Sequence, residues 1–228
     1  AFGRGHMNLA ESEGSLVEGI VVSDVSLSIH KSVILRNVCA EFPDGEITGI
    51  IGNNGSGKSM LLKCICGFIV PSQGTITVHG VNYHEKKRFP KSIGFVIESP
   101  GFLGELSGRE NLLQLSQIQN KIKPQSVNEV LKTVGLDPLD YKPVRKYSMG
   151  MKQRLGIAQA IMEDPDTLIL DEPMNGLDKQ GVADMRNLFA EIGKRRKTMI
   201  LTSHIQEDID FLCKRVYQMD GGILQRVR

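Results

Sequence analysis

The chain has 228 residues, long enough for one α/β domain with a full core and too short for two. A formal charge of +2, with 28 basic and 26 acidic residues mixed along the sequence, leaves no broad footprint for nucleic acid or anionic lipid. No window approaches the roughly 20 consecutive apolar residues of a membrane-crossing helix and no charged, apolar leader opens the chain, so a soluble, cytosolic protein is expected.

Ala1 to His6, ahead of Met7, read as a cloning remnant, which leaves one domain over 7–228. Residues 20–28 and 38–42 are strand-like, the second ending in the turn Pro43-Asp44-Gly45, and predict antiparallel strands beside the main core. The apolar run 47–51 reads as a buried strand. It leads into Gly52-Asn53-Asn54-Gly55-Ser56-Gly57-Lys58-Ser59, with 60–66 as the start of a helix. The spacing G-x-x-x-x-G-K-[ST] between a strand and a helix is the phosphate-cradling loop of a nucleoside-triphosphate-binding protein. Its glycines let the backbone curl so that amides and the helix N-terminus meet the phosphates. Lys58 reaches the β- and γ-phosphates and the Ser59 hydroxyl can ligand Mg²⁺, with Met60 next to the bound nucleotide. This loop does not choose among kinases, GTPases, motors and transporters, which all need the same cradle.

Further on, 74–80 and 93–97 read as short strands. Ser107-Gly108-Arg109-Glu110-Asn111 is a helix N-cap signal, followed at helical spacing by Leu112, Leu113, Leu115 and Ile118. Val127, Val130, Leu131 and Val134 repeat the pattern before Gly135, so about 100–158 is expected to be a helical lobe inserted in the core. The apolar runs 167–170 and 198–201, a helix-length apart, have the βαβ rhythm of a parallel sheet. The fold class is therefore α/β: a P-loop core with a parallel sheet, an N-terminal antiparallel β portion and an inserted helical lobe. Cys39, Cys64, Cys66 and Cys213 lack zinc or disulfide spacing and read as reduced packing residues, with Cys64 and Cys66 facing different ways on a helix.

The strand Leu168-Ile169-Leu170 ends in Asp171-Glu172-Pro173. Strand C-termini are where α/β sheets present ligands, so Asp171 can meet Mg²⁺, directly or through its waters, and Glu172 can act as general base toward a hydrolytic water.

Other short motifs follow one order: Tyr147-Ser148-Met149-Gly150-Met151 with Lys152-Gln153-Arg154 behind it, Asn175-Gly176-Leu177-Asp178, and Ser203-His204. With these motifs the chain resembles the ATP-binding subunits of ATP-binding-cassette transporters over positions 16–228. Only Ser148 and Gly150 match the family's L-S-G-G-Q signature, although the hydroxyl and the following helix N-terminus still suit a phosphate. The resemblance implies that Ser148 and Gly150 touch the γ-phosphate held by another subunit, so that ATP hydrolysis needs a head-to-tail dimer, of two copies or with a related ATPase. It makes the segment ending in Asp178 an interface loop and His204 a switch that holds the γ-phosphate, Glu172 and water in line. It also implies a separate transmembrane permease, a position on the inner face of the plasma membrane and no nucleic-acid partner. A soluble ATPase of the same type acting on ribosomes or DNA is the alternative, though such proteins usually carry paired cassettes or long coiled-coil insertions.

Glu98 stands where the family usually has a Gln that senses Mg²⁺ and contacts the membrane subunit. A carboxylate there resembles the bacterial exporters of bacitracin and lantibiotics and implies export of a peptide antibiotic or other small molecule. It would add negative charge near the metal. The family's adenine-stacking aromatic is missing: Ile29 or His30 occupies that region. The run 194–197 reads as the solvated end of a helix and 86–88 as an exposed loop. Residues 100–106 read either as a docking surface for a membrane subunit or as packing of Phe102 and Leu103 inside the helical lobe.

Overall fold

The alternating first third of the sequence folds as expected. In the computed structural model, which describes residues 19–86, 88–98 and 101–228, β1 (Gly19–Ile29), β2 (Ser32–Pro43) and β4 (Gln73–Val78) form an antiparallel sheet in the order β2-β1-β4. The turn after β2 carries Asp44 and Gly45. The N-terminal remnant, Lys87 and Pro100 of the sequence reading lie outside the described residues.

The apolar runs build a second sheet. It comprises β3 (Ile47–Ile51), β5 (Ile93–Val96), β6 (Thr167–Leu170), β7 (Thr198–Thr202), β8 (Arg215–Asp220) and β9 (Ile223–Arg226), in the order β5-β6-β7-β3-β8-β9. All its pairings are parallel except the hairpin β8–β9. Every residue of β6 and β7 is buried, as a parallel sheet covered on both faces requires. One core lies between the two sheets and includes Phe42, Ile50, Leu61, Leu62 and Ile169. The other lies under the helices and includes Leu112, Leu131, Leu155, Met185 and Phe189.

Helix α1 (Lys58–Ile65) follows β3 and starts ahead of Met60, because Gly57, at φ 115°, ends the loop in a left-handed conformation. Between β5 and β6 come α2 (Gly108–Gln119), α3 (Pro124–Thr133), a short 3₁₀ turn at Val144–Lys146 and α4 (Met149–Ile161). The N-cap signal is real: Ser107 and Glu110 form a reciprocal capping box. The amide of Asn111 then bolts the preceding loop, accepting from Leu103 N at 2.8 Å and donating to Ser107 O at 3.0 Å. Helices α5 (Lys179–Lys194) and α6 (Gln206–Leu212) flank β7 in the chain.

Three bland expectations need correction. Cys39 is exposed, on an outward position of β2. Cys64 and Cys66, at the C-terminal end of α1, are both buried in one core. Lys197 is not a solvated helix end: its ammonium reaches Asp164 O at 3.0 Å and the Asp166 carboxylate at 3.4 Å.

Candidate nucleotide-binding site

The C-terminal ends of β3, β6 and β7, three neighbours in the sheet, deliver the phosphate loop, the carboxylate pair and the histidine to one place. Gly52 makes a tight entry to the loop: with φ 149°, a Cβ there would stand 2.2 Å from Met219 O. Lys58 is only 6% exposed and donates to Gly52 O at 2.7 Å and Asn53 O at 3.1 Å, so the loop curls around its own lysine. Its ammonium also lies 4.0 Å from Glu172 Oε1.

Ser59 Oγ donates to Asp171 Oδ2 at 2.5 Å, although 112 positions separate the two in sequence. Asp171 Oδ1 accepts from the Thr202 hydroxyl at 2.7 Å, and the same hydroxyl oxygen accepts from Glu172 N at 2.8 Å. Glu172 has the left-handed φ of 49°, which turns its side chain off the strand direction. Glu172 Oε2 meets His204 Nδ1 at 2.8 Å, whereas Oε1 is buried without a hydrogen-bond partner. An orphaned carboxylate oxygen is costly in a core and useful at a site where a proton must be taken. These groups open on a cleft of about 460 Å³ lined by Asn54, Gly55, Gly57, Lys58, Ser59 and Met60 of the loop, with Asp171 and Glu172 opposite. A larger groove of about 570 Å³ runs between β5, α2 and α4, and none of the loop or carboxylate residues lines it.

The remaining candidates sit elsewhere. Ser148 caps α4, its Oγ accepting from Met151 N at 3.2 Å, and Asp178 caps α5, its Oδ1 accepting from Gly181 N at 2.9 Å. Gly150 packs on the segment before α5, where a Cβ would lie 2.9 Å from Gly176 O, and Met149 lies over Gly176. Ser148, Gly150 and the 175–178 segment thus share one face, apart from the cleft of their own chain. Glu98 is not among the cleft residues either. Its carboxylate is 2.5 Å from Lys63 Nζ on α1, one helical turn beyond Ser59. Of Ile29 and His30, which stand in the region of the family's adenine-stacking aromatic, Ile29 ends β1 and His30 lies in the exposed turn before β2; neither lines the cleft. The residue of this region that lines the cleft is Ile34. Phe102 packs against the helical core and Leu103 is 55% exposed, so segment 101–106 is divided between the two readings.

Thr202, Ile34 and Gln153 are the residues that sequence reasoning missed. Gln153 Nε2 donates to Pro173 O at 3.0 Å and Glu172 O at 3.4 Å, tying α4 to the carboxylate turn. Thr202 is placed by register: β6 and β7 end together, with Leu170 opposite Leu201, so the next residue of each strand meets the other.

The sequence profile of the ABC transporter family matches residues 35–175, which contain the loop, the signature segment and the carboxylates. The chain belongs to the ABC transporter family. This ABC chain is 42% identical over 206 residues to the uncharacterized ABC transporter ATP-binding protein YybJ of Bacillus subtilis (strain 168), covering 90% of the chain and 94% of that relative. It is 43% identical over 201 residues to the bacitracin transport ATP-binding protein BcrA of Bacillus licheniformis, covering 87% of the chain but 65% of BcrA's length. Its fold superposes with a TM-score of 0.81 and 22% identity on the dimeric structure of MJ0796, a bacterial ABC transporter cassette, covering 92% of this chain and 99% of that one.

Proposed function

We propose that this chain is the ATP-hydrolysing subunit of an ABC transporter that powers a separate transmembrane permease and exports a peptide antibiotic or other small molecule. One observation carries the catalytic part: a carboxylate at a strand end, Glu172, has one oxygen held by His204 and the other buried beside Lys58, where the phosphate loop and the carboxylates line one cleft. Kinship with BcrA, a bacitracin transport protein, supports the export reading. Among the described residues no helix is long and apolar enough to cross a membrane, in keeping with a separate permease and a place on the inner face of the membrane.

In this reading the loop amides and Lys58 bind the β- and γ-phosphates of ATP, Lys58 exchanging its carbonyl contacts for phosphate oxygens. Ser59 Oγ and the Asp171 carboxylate are hard oxygen donors brought together at 2.5 Å, which fits Mg²⁺. The metal, when bound, neutralises phosphate charge as it develops. Glu172 takes the proton of the attacking water, and His204 holds the carboxylate in line. Ser148 and Gly150, on a face apart from this cleft, complete the site of a second copy or a related ATPase, with the 175–178 segment between them. The inserted lobe of this one domain, about 100–158, contributes Ser148 and Gly150 to that face.

The test is the Glu172→Gln chain, purified and examined by light scattering with and without ATP and Mg²⁺, beside the steady-state hydrolysis rate of the parent. ATP-dependent dimers in the variant and hydrolysis only in the parent are expected. Monomers throughout, with hydrolysis unchanged, would refute both the base and the dimer.

A further inference from the structure

Asp208, in the first turn of α6, is fully buried and takes no part in the cleft. A buried carboxylate persists only with strong partners, and this one has two. Arg186 of α5 donates to Asp208 Oδ1 from Nε at 2.7 Å and lies within 2.5 Å through Nη2. The Ser203 hydroxyl donates to Asp208 Oδ2 at 2.9 Å. Ser203 is itself 3% exposed, and its oxygen accepts from Ile205 N at 3.0 Å. That single hydroxyl therefore closes the turn whose middle residue is His204.

The His204 side chain is 57% exposed, so packing does little to choose its rotamer, yet Nδ1 meets Glu172 at 2.8 Å. Its aim must come from the backbone that carries it. The geometry points to Arg186, Asp208 and Ser203 as positioning residues that hold the 203–205 turn so that His204 faces Glu172. This inference rests on the catalytic reading of Glu172 and His204 and adds three residues to it. It also gives α5 a role. The helix is capped by Asp178 at one end, is held to α4 by Arg154 and Asp184 at 3.3 Å, and reaches the histidine turn through Arg186. Side-chain contacts joined by the α5 backbone thus link the signature helix to the turn that carries the histidine, through residues that do not line the cleft.

The rival account is that the three residues merely stitch α6 to α5. Three variants of the whole chain separate the two: Ser203→Ala, which spares the ion pair, Asp208→Asn, and Arg215→Gln as a control. Arg215 makes a part-buried pair with Glu46 at 3.0 Å, in the strand adjoining β3 but outside the cleft. The readouts are kcat and KM for Mg–ATP hydrolysis, the thermal midpoint, and the ¹⁵N imidazole resonances of His204, assigned with His204→Gln. Ser203→Ala and Asp208→Asn should lower kcat about tenfold with KM within about twofold, since a small misplacement of a reacting group costs rate more than binding. Both should also move the His204 ring signals. Arg215→Gln should lower the thermal midpoint and leave kcat and the ring signals alone. Unchanged kcat and ring signals in Ser203→Ala would overturn the inference, whether or not Asp208→Asn folds. A parent-like rate in His204→Gln would instead remove the catalytic reading of the histidine, and the ring signals in Ser203→Ala would still decide the positioning.

Discussion

Replacing Thr202 by valine preserves the outline of a fully buried side chain and deletes one hydroxyl. That hydroxyl donates to Asp171 Oδ1 at 2.7 Å and accepts from Glu172 N at 2.8 Å. A hydrogen bond to a charged group contributes about 1.5–3 kcal/mol, and leaving a buried N–H unpaired costs about 1–3 kcal/mol. The two losses share one atom, so we expect a net destabilisation of about 3 kcal/mol, below their full sum. At about 2–4 °C per kcal/mol for a chain of this size, the thermal midpoint should fall by about 6–12 °C. Thr202→Ser keeps the hydroxyl and loses a methyl, and should cost about 1 kcal/mol. Urea unfolding gives both values, and hydrolysis should fall in the valine variant only. A valine variant within about 1 kcal/mol of the parent, or one no worse than serine, would refute the argument that this hydroxyl holds the two carboxylate residues.

Gly94→Ala would place a Cβ 1.9 Å from Ala160 O, between β5 and α4, and should destabilise the chain by about 3 kcal/mol in urea; a near-neutral result would show that α4 moves away from the strand freely. Burial pushes the Cys64 and Cys213 thiols up to about 12 and raises Cys66 as well, so these groups stay protonated and enclosed at pH 8. Thiol titration of the folded chain should therefore find one fast-reacting cysteine, Cys39, lost in Cys39→Ser; a second fast thiol would contradict the burial. Glu98→Gln removes the ion pair with Lys63, and because Glu98 is mostly exposed the stability should change by less than about 1 kcal/mol, with any larger loss pointing to a contact beyond that lysine.

What could be read from the sequence was what local spacing dictates. The phosphate loop, Asp171-Glu172 and His204 each sit at a strand end within a short motif, and the sheet brings the first two to one cleft and the histidine against Glu172. Features set by register between distant segments were not readable in the same way. Thr202 and Asp171 meet because β6 and β7 run side by side, and Glu98 finds Lys63 35 positions upstream. Ile34 reaches the cleft through the path of β2, whereas Ile29 and His30, nearer the position of the family's aromatic ring, lie at the end of β1 and in the turn after it. The basic run 194–197 is the exposed end of α5 except at its last member, Lys197, which is long enough to reach Asp164 and Asp166 just before β6.

The placement of β7 between β6 and β3 also governs when the site can exist. Lys58, Ser59, Asp171 and Glu172 all precede β7 in the chain, but β3 and β6 touch it and not each other, so residues 198–202 must be inserted before the loop and the carboxylates come within reach. During synthesis a nascent chain carrying both motifs would still be unable to grip a triphosphate until this late strand has emerged and docked. Nucleotide would then act as a late clamp on a nearly finished sheet, stabilising the product of folding and not its early stages.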